Sequence, residues 1–217
     1  MALLVFTTLI PTSAASATVV DEERLQYKWK LGGFKGVVIR LFVPGTGEGE
    51  LKTRRDPSGN LVSELHISSS SARDGDFWRY GAEIDDSSRR TIRAWSSRRF
   101  RGESKEKESE LEREDVIDLA SSIFFLRREL PREEAETHIW SNGRIYQVTV
   151  KPTGRSARLI DGRAVRTRSY SLRGSGEPVW RGRFDLVLAE DETATPLEIT
   201  VARDGLRVHL ELVQAEH

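Results

Sequence analysis

The chain has 217 residues, of which 37% are hydrophobic and 31% charged, and 34 basic side chains balance 34 acidic ones. A net charge of zero removes the global electrostatic footprint of a nucleic-acid binder. The sequence contains no cysteine, which excludes disulfides, thiolate metal sites, iron–sulfur clusters, a lipid-modified cysteine and cysteine nucleophiles.

The first residues carry an apolar run, Leu3–Ile10, followed by small residues with Ala15 and Ala17 in Ala-x-Ala spacing. This predicts a secretory signal peptide over residues 1–17, cleaved after Ala17, although a basic leading region is missing. About ten apolar residues are too few to cross about 30 Å of hydrocarbon. Residues 18–217 read as a single β-rich domain with no integral membrane span, exported to the periplasm of a bacterial cell envelope.

Thr18 to Glu23 is polar and reads as loose chain. Clean alternation then begins. Leu25, Tyr27, Trp29 and Leu31 share one face of a half-buried strand, and Val37–Val43 predicts a second. Pro44-Gly-Thr-Gly47 reads as a turn. Further strands are expected at Leu51–Arg55, Leu61–Ser68, Phe77–Ile84 and Arg90–Ser96. Asp56-Pro-Ser-Gly59 supplies the turn between the first two of these.

The pattern changes at Glu103–Glu114, which is almost wholly charged and reads as a solvated helix extension. Val116, Leu119, Ala120, Ile123, Phe124 and Arg127 then recur at three- and four-residue spacing, one stripe of an amphipathic helix. The expected helix spans about 113–129, with Glu112 and Asp115 near its start, Arg127-Arg128 near its end and Pro131 closing it. Hairpins return around Asn142-Gly143, Asp161-Gly162 and Asp204-Gly205, with a long strand expected at Val179–Ala189. The fold class that follows is mainly β: a curved antiparallel sheet or barrel-like β-meander with one mid-chain α-helix.

Catalytic chemistry finds little footing. His66, His138, His209 and His217 lack metal-binding spacing, so no metal site and no cofactor is expected. No nucleophile elbow occurs, and Gly45-Thr-Gly47-Glu-Gly49 lacks the lysine and helix of a phosphate loop. The carboxylate pairs Asp85-Asp86, Glu133-Glu134 and Glu190-Asp191-Glu192 fall in predicted turns, where adjacency does not place two carboxyls across a cleft. The arginine pairs at 54–55, 89–90, 98–99 and 127–128 read as solvated faces. Tyr27, Trp29, Trp78, Tyr80, Trp140 and Trp180 lie on or beside strands. They either fill a core or line an apolar pocket inside a curled sheet.

The order of these elements resembles a bacterial envelope family known as domain of unknown function 3108. The resemblance rests on Leu25-x-Tyr27-x-Trp29 before a glycine-bearing turn, and on the helix Asp118–Arg127 followed by Leu130-Pro131. It continues through Arg144-Ile-Tyr146-Gln-Val148-Thr-Val150 and the ending from Asp191 through Pro196–Ile199 to Asp204-Gly-Leu206. The chain departs from that pattern at Leu188-Ala-Glu, where a tryptophan is usual, and in the density of its charged run. The resemblance implies export and a β-rich fold, and it carries over no catalytic residues.

Three functions are compatible with these readings. The first is a non-enzymatic periplasmic protein that binds an apolar or lipid-like envelope molecule, by fold-level analogy with outer-membrane lipoprotein carriers. The second is an interaction scaffold for an envelope protein, with a filled core. The third is a glycan or peptide hydrolase. The export reading predicts that protein recovered from cells begins near Thr18, which N-terminal sequencing checks directly. Intact Met1 on cytoplasmic protein would remove it.

Overall fold

Period-two alternation becomes strand after strand. The computed structural model describes residues 22–33, 45–69, 75–100, 102–160 and 162–216. Within them the order is β1 (Glu22–Gly32), β2 (Thr46–Arg55), β3 (Leu61–Ser69), β4 (Phe77–Asp85), β5 (Arg90–Phe100), β6 (Glu103–Glu110), β7 (Val116–Ile117), α1 (Leu119–Glu129), β8 (Ala135–Ser141), β9 (Arg144–Ile160), β10 (Arg163–Gly174), β11 (Gly182–Ala189), β12 (Pro196–Arg203) and β13 (Leu206–Glu216). The expected signal peptide and the expected strand Val37–Val43 lie outside the described residues.

All thirteen strands join one sheet in the order β6-β5-β4-β3-β2-β1-β13-β12-β11-β10-β9-β8-β7. Strand β1 sits near the middle because it pairs antiparallel with both β2 and β13, so the two ends of the described chain are zipped together. Among the described strands, only β7 and β8 pair in parallel. Strand ends alternate between two rims. The ends of β1, β3, β5, β8, β10 and β12 form one, called here the lower rim; the helix lies at the other.

The terminal strands of the sheet share no ladder, yet they meet. The Leu111 amide, donating to the Ile92 carbonyl at 2.7 Å, carries the β5–β6 ladder one step further and brings Leu111 to the seam. Ala94, Leu111, Val116 and Trp140 form a buried cluster across the seam. Curling the sheet until its ends touch limits exposed edge and leaves one interior to fill.

The charged segment is a strand rather than a helix extension, and this corrects the sequence expectation. Strand β6 pairs with β5 along its length, setting Glu108 opposite Trp95 and Glu110 opposite Arg93. Arg93 pairs with Glu108 at 3.1 Å and also reaches Glu83. Ladder hydrogen bonds and cross-strand charge outweigh the modest helix preference of Glu and Lys. The same charges blunt the edge against further pairing.

The helix therefore starts at Leu119, not near 113, and its N-cap is Asp118. The Asp118 carboxylate accepts from the Ser121 amide at 2.7 Å, and the Ser121 hydroxyl accepts from the Asp118 amide at 2.8 Å, a capping box. Leu130 ends the helix in the left-handed region, at φ 42°. The Asn142-Gly143 and Asp204-Gly205 hairpins form as expected, with positive φ at both residues of each, as type I′ turns require.

The apolar stripe of α1 is buried as the spacing predicts. Ile123 joins the main core, while Phe124 packs with Leu61, Ala82 and Ile84 of β3 and β4. Arg127 belongs to the same stripe, and its side chain is 1% exposed. It meets Glu23, also 1% exposed, through a bidentate pair at 2.5 and 2.9 Å. It donates further to the Thr193 carbonyl at 3.0 Å. Two readings are thereby corrected: Arg127 is not a solvated helix end, and Glu23 is not loose chain but part of β1. A guanidinium among apolar neighbours needs a carboxylate in contact, and Glu23 is the one in reach.

Two stability measurements test this packing. Replacing Phe124 with Ala should destabilise the fold by about 3–5 kcal/mol in denaturant titration, because the cavity cannot collapse in so enclosed a cluster. A loss under about 1 kcal/mol would make the helix peripheral. Glu23→Gln should cost about 3–5 kcal/mol by stranding the guanidinium, whereas exchanging both Glu23 and Arg127 for Met should recover most of that loss.

Candidate functional site

Tyr27 and Trp29 point inward from β1, and the register sets glycines opposite them: Gly49 faces Tyr27 and Gly47 faces Trp29. A β-carbon on Gly47 would lie 2.5 Å from the Trp29 ring nitrogen and 2.2 Å from the Ser68 carbonyl oxygen. One on Gly49 would lie 2.5 Å from Leu210. Thr46 and Gly47, read from sequence as part of a turn, lie in β2, and Gly47 and Gly49 make room for the rings. Trp29 Nε1 donates to the Ser68 carbonyl at 2.7 Å, and the Tyr27 hydroxyl donates to the Pro196 carbonyl at 2.9 Å. Burial pushes the Tyr27 hydroxyl pKa up.

Trp180 is buried just inside the lower rim with its ring over Gly182. It precedes β11 instead of lying within it, since that strand begins at Gly182 rather than Val179. Trp78 and Tyr80 are half-buried and pack against the main core, with Trp78 6.2 Å from Phe100. Burial raises the Tyr80 pKa, opposed by the charges of Arg203 and Arg98. Strands β4 and β12 are distant in sheet order, so the effect of Arg203 on Tyr80 reflects the curl of the sheet. Trp140 stands apart in the seam cluster. The structure thus gathers Tyr27, Trp29 and Trp180 into one core, sets Trp78 and Tyr80 at its margin and leaves Trp140 elsewhere. Leu25, Leu51, Leu65, Tyr170, Phe184 and Leu186 occupy the space around them, all at most 1% exposed.

The concavities that stand out are open grooves on the surface. One, of about 350 Å³, is bounded by Lys28, Lys30, Glu48 and Glu211 beside Trp29 and Gly47. Its cation Lys30 is already paired with Glu211 at 2.6 Å. The other, of about 320 Å³, lies at the lower rim between Gly33, Ala202, Leu206, the Asp204-Gly205 turn and the side chains of Arg181, Arg183, Arg203 and Arg207.

Strand register explains why arginines collect there. Inside the sheet, Leu172, Phe184, Val201, Val208 and Leu31 stand in one cross-strand row. The next row faces outward and reads Arg173, Arg183, Ala202, Arg207 and Gly32. Ala202 forms a low floor between two guanidinium-bearing neighbours. Arg173 stands directly opposite Arg183, an arrangement that costs stability in an antiparallel pair. Asp185 neutralises Arg183 at 2.7 Å, and Asp204 lies 3.5 Å from Arg203. Among the described residues no carboxylate pairs with Arg181 or Arg207.

Sequence reasoning missed this row. The Asp204-Gly205 turn could have matched Ala202 with Arg207, since a two-residue hairpin sets its own register. The pairing of Arg173 with Arg183 crosses the irregular segment 175–181, and no local signal specifies it.

The carboxylate pairs support turns and ion pairs. Asp85 accepts from Ser87 and Ser88, which holds its pKa well below the usual carboxylate range. Asp86 pairs with Arg55 and Arg128. Asp191 accepts from Thr193 and the Ala194 amide. His138 lies 2.6 Å from Asp115, beside Arg113. Among the described residues no group of three or more His, Asp or Glu is placed to hold a metal ion. Among the same residues no helix is long and apolar enough to cross a membrane.

No family model matches the chain. No curated protein matches it either. Solved structures do. The chain is similar to a β-barrel-like protein of domain of unknown function DUF1849 from Brucella abortus, at 12% identity and a TM-score of 0.51, over 92% of this chain and 99% of that one. A DUF1329 family protein from Desulfovibrio piger matches at 8% identity and a TM-score of 0.38, over 91% and 85% of the two chains. The first likeness is one of fold: mainly β, a single large curved sheet of barrel-like form with one helix.

Proposed function

We propose that this chain is an exported, non-enzymatic binding protein of the bacterial envelope that works through the outside of its barrel. The observation that carries this reading is the packed interior. Tyr27, Trp29 and Trp180, which could have lined a pocket, are at most 7% exposed and lie over glycines or against core side chains. The arginine-lined groove lies instead on the outer face and lower rim. The expectation of export and the resemblance to domain of unknown function 3108 support the envelope setting. A filled barrel offers a rigid platform, and rigid elements hold surface groups at defined spacing.

The competing reading is a lipid-like ligand held inside the sheet. The half-buried Trp78 and Tyr80 at the lower mouth are the feature that favours it. Titration with a fluorescent fatty acid, together with solvent extraction of protein purified from its native host, separates the two. The exterior reading expects no saturable probe binding and no extracted lipid. Saturable binding of one probe per chain, weakened by Tyr80→Ala, would return the function to the interior.

A further inference from the structure

We propose that the outward arginine row at the lower rim binds the phosphate groups of an anionic membrane surface. This rests on the exterior-binding reading above and names its partner.

Register concentrates like charge where a sheet built for stability would alternate it. Arg173 and Arg183 are direct cross-strand neighbours, and Arg207 follows across the small Ala202. Arg181 adds a guanidinium at the rim of the same groove, as does Arg203, which Asp204 approaches at 3.5 Å. Planar guanidinium forks match phosphate oxygens, and Arg181 and Arg207 have no carboxylate partner among the described residues. The protein as a whole is neutral, so this positive charge is local.

An apolar side chain stands beside the cations. Val179 is 56% exposed, two residues before Arg181 on the same turn. That turn is anchored from below. Trp180 is 7% exposed, and a β-carbon on Gly174 would lie 2.7 Å from its carbonyl oxygen. With Trp180 held inward, its neighbours Val179 and Arg181 are presented outward. An exposed apolar residue among guanidiniums suits the boundary between headgroups and acyl chains, where charge stays with phosphate and the apolar group enters below it. An acidic protein would answer the arginines through carboxylates alone, the case that polyglutamate tests below.

The test is co-sedimentation of the purified protein with phosphatidylglycerol-containing vesicles, compared with pure phosphatidylcholine vesicles. Binding should require the anionic lipid and fall as salt shortens the screening length. Arg181→Gln with Arg207→Gln should weaken it roughly 25-fold, at about fivefold per cation removed. Arg163→Gln with Arg166→Gln removes the same charge from exposed positions of β10 at the opposite end, and should leave binding within about twofold of that of the unaltered protein. The rim variant should melt as the unaltered protein does, because both side chains are exposed and neither has a carboxylate partner among the described residues. Equal losses in the two variants would overturn the site. Binding of inorganic phosphate or polyglutamate without any binding to vesicles would overturn the membrane as the source of the anion. Absence of all three would overturn the proposal entirely, whereas failure of the exterior reading itself would show separately as saturable fatty-acid binding.

Discussion

The Glu23–Arg127 pair ties together parts of the chain that are far apart in sequence. It joins the start of β1 to the last turn of α1, and through the Thr193 carbonyl to the loop between β11 and β12. A pair this deeply buried contributes little net stability over an apolar replacement, since desolvation consumes most of the Coulombic gain. What it imposes is position. A helix that slid by a residue or rotated by a third of a turn would bury an unpaired guanidinium, so few alternative dockings survive. With the helix placed, Phe124 falls against β3 and β4 and Ile123 against the main core.

Beneath the helix, the interior is filled by matching large residues to absent ones. Two of the largest side chains on β1 face glycines on β2. The same device recurs on the outer face, where the Trp95 ring lies over Gly81. Glycine weakens a strand by itself, but a ring across the pair covers the exposed backbone and recovers packing. A sheet filled in this way leaves little void for a guest, which moves the search for function to the outside.

On the outside, charge is distributed by row. The arginine row at the lower rim gives way, two rows up β10–β13, to Glu198 and Glu211. Those acids are engaged by Arg158 and Lys30. Lys30 also holds the Glu211 carboxyl below its ordinary pKa. A neutral total thus conceals a segregated surface, and segregation rather than total charge governs what a surface attracts.

Much of this architecture is legible in the residues alone. Alternation in Arg24–Leu31 and Leu206–Val213 announces half-buried strands, and Asn142-Gly143 and Asp204-Gly205 announce hairpins, because side-chain period and turn geometry are local properties. The stripe through Ile123 and Phe124 announces a buried helix face for the same reason. The helix start and the fate of Glu103–Glu110 were decided by tertiary contact, since an edge next to β5 offered that segment a ladder that its own composition does not advertise. Burial of Arg127 depended on Glu23 reaching it across 104 positions of sequence. The arginine row depended on the register of β10 against β11, set across an irregular loop. Local pattern determined most of the elements and the faces they bury. Only the curled sheet decided which charges meet inside it and which line up along its rim, because those neighbours are brought together by long-range pairing that no short stretch of sequence encodes.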